Sequence, residues 1–150
     1  IIAGDDNLVN EIKNYSLFRT YRCSPMTLFE LQETVLKYIN KQEKEIPFWN
    51  LITQPYSSLE DRCKNIAKSI SFSTSIEKGE SVIGGGTLPD VTLESPILLI
   101  NNEKTVDTVN QLIKNDIPIV PRIIKDQVCL DLRSVFHNQD DIIVQALNNS

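Results

Sequence analysis

Near position 70 the apolar residues of this 150-residue chain change their spacing, and few folds accommodate such a change. Before it, Leu28, Leu31, Val35 and Ile39 recur at helical intervals, as do Leu59, Cys63, Ile66, Ala67 and Ile70. Recurrence every three to four residues places side chains on one helix face. After it, Phe72, Thr74 and Ile76 alternate with serines and Glu77, the two-residue period of a half-buried strand. Helices first, then strands mixed with helices, predict an α+β fold: a small, mainly antiparallel sheet covered by helices on one face.

Local signals place the elements. Asp5-Asp6-Asn7 is suited to cap a short helix carrying Leu8, Val9 and Ile12. Residues 15–25 show no clear period. Thr27-Leu28-Phe29-Glu30 reads as a capping box opening a helix to about residue 43, with 41–45 a solvated charged end. Ile46-Pro47-Phe48-Trp49 starts a short apolar piece ending at Gln54-Pro55, and Ser57-Ser58 precedes acids at the start of a helix to about residue 70. Strands are expected at 97–100, 117–120 and 127–132, with Lys125-Asp126 in a tight turn after Ile123-Ile124. Thr105 is expected to cap a helix with Val106, Val109, Leu112 and Ile113 inward. Residues 138–141 are expected to cap a last helix burying Ile142, Ile143, Ala146 and Leu147.

Composition removes several function classes. Hydrophobic residues make up 41% and charged residues 23%, which excludes collagen-like, disordered and coiled-coil chains. The longest apolar run, 96–100, is strand-sized and far short of the ~18 residues of a membrane span. Fifteen Lys and Arg against 20 Asp and Glu give a net charge of −5, so any polyanion must be met by a local arginine pair. Cys23, Cys63 and Cys129 are scattered and form no CxxC, which fits buried thiols in a reducing cytoplasm better than a disulfide framework or zinc ribbon. The opening Ile1-Ile2-Ala3-Gly4 reads as the middle of a strand, so the chain is expected to be a piece of a longer protein.

Few residues carry chemistry. Arg19-Thr20-Tyr21-Arg22 sets two guanidinium forks three residues apart, either for one tetrahedral oxyanion or as a solvated or ion-paired surface pair. Gly84-Gly85-Gly86 lies between strands, unlike a phosphate loop, and reads as a tight bend where another backbone packs close. Arg122 and Arg133 flank the last strands, to bind a carboxylate or to pair with Asp126, Asp131 and Asp140. His137 stands alone beside the last helix and reads as structural. One histidine, scattered cysteines and dispersed acids give no metal site.

Whole strings add a resemblance. Ile1-Ile2-Ala3-Gly4, Arg19-Thr20-Tyr21-Arg22-Cys23, Met26-Thr27-Leu28, Glu45-Ile46-Pro47, Gly84-Gly85-Gly86-Thr87-Leu88-Pro89 and Asp131-Leu132-Arg133-Ser134-Val135 occur in an order similar to that of bacterial selenocysteine synthases. Together they span nearly the whole chain. This family, the L-seryl-tRNA(Sec) selenium transferases, comprises fold-type I pyridoxal phosphate enzymes that work as large homo-oligomers. They convert seryl-tRNA(Sec) to selenocysteinyl-tRNA(Sec) with selenophosphate. The resemblance implies that residues 1–25 lead in from a large cofactor-binding domain and that 26–150 form the C-terminal small domain.

By the same resemblance, the Schiff-base lysine lies upstream of Ile1, so this piece is expected to be inactive alone and to bind no cofactor. Arg19 and Arg22 fall on the Arg-x-x-Arg assigned to the phosphate-bearing donor, and Arg133 falls where related enzymes meet a substrate carboxylate. Ser24-Pro25 departs from the family's usual Asp-Lys, removing one acid and one base near the proposed anion site. That departure keeps a related lyase acting on a phosphorylated amino sugar or amino acid as the alternative, with a non-catalytic interaction module behind it. Apolar surface normally covered by the large domain implies self-association or marginal stability of the piece.

Overall fold

A computed structural model describes residues 2–84 and 91–149, which divide into two compact units, Ile1–Ile46 and Pro47–Ser150. In the first unit, α1 (Asp6–Asn14) starts where Asp5 accepts hydrogen bonds from the amides of Asn7 and Leu8. A 3-10 turn, Ser16–Tyr21, follows, and α2 spans Pro25–Ile39. Residues 2–4 form no strand, contrary to the reading of the opening. The cap of α2 is Ser24 rather than Thr27: the Ser24 hydroxyl accepts the Thr27 amide at 3.1 Å, and Pro25 takes the first helical position. The helix stops at Ile39, short of residue 43, because Lys41 turns to a φ of 58°. No described residue of α1, the 3-10 turn or α2 is buried, and the expected core stripe of Leu28, Leu31, Val35 and Ile39 is exposed.

The second unit holds the core. It comprises α3 (Pro47–Ile52), α4 (Tyr56–Ser69), β1 (Ser73–Val82), β2 (Thr92–Asn101), α5 (Thr105–Lys114), β3 (Arg122–Ile124), β4 (Gln127–Asp131) and α6 (Asp140–Asn148). The four strands form one antiparallel sheet in the order β1-β2-β4-β3. Leu98, Ile100, Val128 and Leu130 on one sheet face meet Leu59, Cys63 and Ile66 of α4, Leu112 of α5, and Ile143, Ala146 and Leu147 of α6. This is the predicted α+β arrangement. Full burial of a leucine-sized side chain stabilises by about 1.5–3 kcal/mol, so these residues dominate the unit's stability.

On the opposite face Ile97, Leu99 and Cys129 are also buried. From β3, Arg122 reaches both Asp131 on β4 and the Glu80 carbonyl on β1, so the sheet curls about this face and covers them. Small residues permit the curl. A Cβ on Gly79 would collide with the Ile97 side chain. The turn between β3 and β4 is the expected tight one, with Lys125 and Asp126 at φ 50° and 62° and Ile124 opposite Gln127.

Other local expectations fail for identifiable reasons. Residues 117–120 make no strand; the Ile119 amide bonds instead to Leu112 at the end of α5. Thr105 does not cap α5: its hydroxyl donates to the carbonyls of Asn102 and Asp126, tying the helix start to the β3–β4 turn. Val106 and Ile113 point to solvent, while Thr108 is buried beside Leu112. The residue before α6 is Gln139, which makes no side-chain cap bond.

Candidate functional site

Arg19 and Arg22 are set by short-range geometry. In a 3-10 turn, side chains three residues apart eclipse. Arg19 lies in the turn, and the Arg22 amide closes it by donating to the Arg19 carbonyl at 3.4 Å. Thr20 braces the turn through its hydroxyl to the Leu17 carbonyl at 2.6 Å. Both arginines are exposed, and among the described residues neither has an ion-pair partner. The pair thus brackets the end of the turn, with Arg22 in extended backbone two residues ahead of the Ser24 cap of α2. Ser24-Pro25 is explained by that cap. Ser24 caps the helix as an aspartate there would, and Pro25 supplies a fixed helix start but no cation.

Arg133 has a different environment. It follows β4 in a 3-10 turn, Leu132–Ser134, and is 7% exposed. One terminal nitrogen donates to the carbonyls of Ile52 and Gln54 at 3.0 and 2.9 Å, and the other to the Glu94 carbonyl at 2.7 Å. It therefore ties the end of α3 to the start of β2. Its Nε, buried, has no partner among the described residues. No carboxylate pairs with it there, although pairing with Asp126, Asp131 or Asp140 is one reading of the sequence.

Asp131 instead organises the curled face. It accepts from Ser81 at 2.5 Å, Ser95 at 2.9 Å and the Arg133 amide at 3.1 Å, and pairs with Arg122 at 3.4 Å. Arg122, 45% exposed, stands at a groove of about 540 Å³ whose walls include Val82, Ile119, Val120 and Ile142. Of the triple glycine, Gly85 and Gly86, like Thr87-Leu88-Pro89, lie outside the described residues. At Gly84 nothing among the described residues lies within 4 Å of an added Cβ.

Arg62 is the residue that sequence reasoning missed. It is 3% exposed on α4, and all five of its N–H groups are used: two on Asp140 at 2.9 and 2.6 Å, the others on Gln54, Leu132 and Val135. Its signal is an arginine inside the buried stripe, adjacent to Cys63. The cysteines divide, with Cys63 and Cys129 buried as expected and Cys23 exposed. Burial pushes the Cys63 thiol up to about 12, and burial likewise raises Cys129.

The described residues do not suit a covalently held aldehyde cofactor. A Schiff-base lysine is normally desolvated and lowered in pKa. None of the lysines here is buried, and hydrogen bonds donated to Glu60 and Glu94 raise Lys64 and Lys78 instead. Among the described residues no cluster of His, Cys, Asp or Glu could hold a metal ion, and no helix is long and apolar enough to cross a membrane. His137 sits exposed in a short 3-10 turn.

Comparison with known proteins matches residues 1–136 to the family model SelA, L-seryl-tRNA selenium transferase. Three relatives named L-seryl-tRNA(Sec) selenium transferase are similar over nearly the whole chain. That of Clostridium perfringens (strain ATCC 13124) is 31% identical over 98% of this chain, that of Campylobacter fetus 31% over 99%, and that of Aquifex aeolicus 30% over 98%. The chain spans about a third of the length of these relatives, 34%, 33% and 34% respectively. It belongs to the L-seryl-tRNA selenium transferase family.

Proposed function

We propose that this chain is the C-terminal portion of a pyridoxal phosphate-dependent enzyme that converts seryl-tRNA(Sec) to selenocysteinyl-tRNA(Sec) with selenophosphate. In this reading residues 1–25 lead in from the large domain and 26–150 form the small domain of a cytoplasmic homo-oligomer. The family match over residues 1–136 is the observation that carries it. Since no lysine here suits the cofactor, the bond-making chemistry is assigned to the portion outside this chain. Alone, the chain is inactive and binds no cofactor.

What this chain contributes is anion binding. Arg19 and Arg22, one 3-10 turn apart and free of carboxylates among the described residues, offer two forks to the tetrahedral oxyanion of the donor. Arg133 is the third proposed anion contact. With three carbonyls already on its terminal nitrogens, it would act through the buried Nε–H. Pro25, which supplies no cation beside Arg22, favours a second reading: a related lyase gripping the phosphate of an amino sugar or amino acid.

The test is a chimaera in which this chain replaces the matching third of the Aquifex aeolicus relative. Conversion of seryl-tRNA(Sec) with selenophosphate is expected, with a raised KM for the donor in Arg19→Ala/Arg22→Ala. A folded, cofactor-loaded chimaera that turns over a phosphorylated amino acid but not seryl-tRNA(Sec) would overturn the first reading in favour of the second.

A further inference from the structure

β3 is shorter than the strand it pairs with, and the shortfall opens a groove. Its ladder with β4 stops at Arg122, opposite Cys129. Pro121, the next residue back, holds φ near about −65°, well away from the roughly −140° of an antiparallel strand. The Ile119 amide is meanwhile held by the Leu112 carbonyl. The chain before Arg122 therefore leaves the sheet, and among the described residues no strand covers the outer side of β4 at Leu130 and Asp131. The groove of about 540 Å³ lies there. Buried Leu130 and Ile143, half-buried Ile119 and Ile142, and exposed Val120 line it. Its volume falls within the roughly 300–1,000 Å³ of small-molecule sites, which join apolar walls to a few polar groups.

One cation stands among those apolar walls. Arg122 is 45% exposed, and its bonds to the Glu80 carbonyl and to Asp131 are both 3.4 Å, beyond the usual length of a hydrogen bond. It also lies beside the Cys129 thiol. A guanidinium has five N–H groups, so Arg122 keeps donors for a ligand. Asp131 holds it weakly, because its carboxylate already accepts shorter bonds from Ser81, Ser95 and the Arg133 amide. We propose that this groove binds a small amphipathic carboxylate, with its head on the Arg122 fork and its hydrocarbon body along Ile119, Val120 and Ile142. The planar guanidinium matches a carboxylate in two parallel bonds. A ligand with an ammonium head meets a carboxylate already occupied by four donors.

The inference does not rest on the catalytic reading. Its test is titration of the labelled 150-residue chain with hexanoate, followed by NMR amide shifts. Saturable shifts are expected at residues 119, 120, 122, 130, 142 and 143, with a dissociation constant of about 1 mM or below. Acetate supplies the head alone and 1-hexanol the body alone, so each should bind at least about tenfold more weakly. Arg122→Gln removes the charge and should weaken hexanoate about tenfold or more. Val120 is 80% exposed, so Val120→Asp should fold as the parent does while setting a like charge against the ligand, with a similar loss. Circular dichroism confirms folding of each variant. Absence of saturation up to about 50 mM hexanoate would overturn the proposal. So would 1-hexanol or acetate binding as tightly as hexanoate, affinity unchanged in both folded variants, or shifts that fall on the exposed face of α2 rather than on the groove.

Discussion

Replacing Arg62 by methionine is the sharpest probe of what holds the second unit together. The side chain is 3% exposed and bonds to α6 through Asp140, to the chain after β4 through the Leu132 and Val135 carbonyls, and to Gln54 after α3. Methionine fills much of the volume but leaves a carboxylate, an amide oxygen and two carbonyls without this donor. Removing one partner of a buried pair costs about 3–5 kcal/mol, a large part of the roughly 5–15 kcal/mol that holds a domain folded. With a urea dependence of about 2 kcal/mol/M, the midpoint should fall by roughly 1.5–2.5 M. Equilibrium melts followed by far-UV circular dichroism and by Trp49, the single tryptophan, give the number directly. Asp140→Leu in the Arg62→Met background should cost far less than its own single effect, because no orphaned carboxylate remains. A loss under about 1 kcal/mol in Arg62→Met, or strict additivity of the two changes, would refute the clamp.

Further outcomes follow from the same geometry. Gly79→Ala should destabilise by about 1–3 kcal/mol, since the new methyl displaces the Ile97 side chain; an unchanged urea midpoint would show that the curled face has slack. In native protein only Cys23 should react quickly with a thiol reagent, and all three cysteines in denaturant. With the Cys63 thiol raised to about 12 from an ordinary 9, the folded state holds its proton where the unfolded state loses it. Stability should therefore decline as pH rises above about 9, by up to about 1.4 kcal/mol per unit, a slope absent in Cys63→Ala. Amides of α2, which buries nothing among the described residues, should exchange well before those of α4 and β2; equal protection would mean that the first unit has a core of its own.

Much of the fold was legible because its signals are local and periodic. The α4 stripe, the alternation entering β1, the buried run of β2 and the Lys125-Asp126 turn were each readable within a dozen residues. Legibility ended where one segment answers to a distant one. Residues 117–120 look like a strand by composition, yet their backbone is used by the end of α5. Thr105 looks like a cap, yet its hydroxyl serves Asn102 and Asp126. The amphipathic pattern of α2 is real, but among the described residues nothing buries it. The arginines divide the same way. Arg19 and Arg22 stand out by their spacing, and the bond that closes the 3-10 turn joins their backbones. The duties of Arg62, Arg122 and Arg133 depend on partners 8 to 81 residues away, which no local pattern reveals.

The arginine pair is the chain's proposed share in the reaction, and one titration addresses it. Phosphate, selenate and thiosulfate are added to the labelled chain while amide shifts of Arg19 through Met26, Pro25 excepted, are followed by NMR. Saturable shifts that vanish in Arg19→Ala/Arg22→Ala are the predicted result. Flat shifts into the high millimolar range, or saturation that survives the double change, would contradict an anion site on these two side chains.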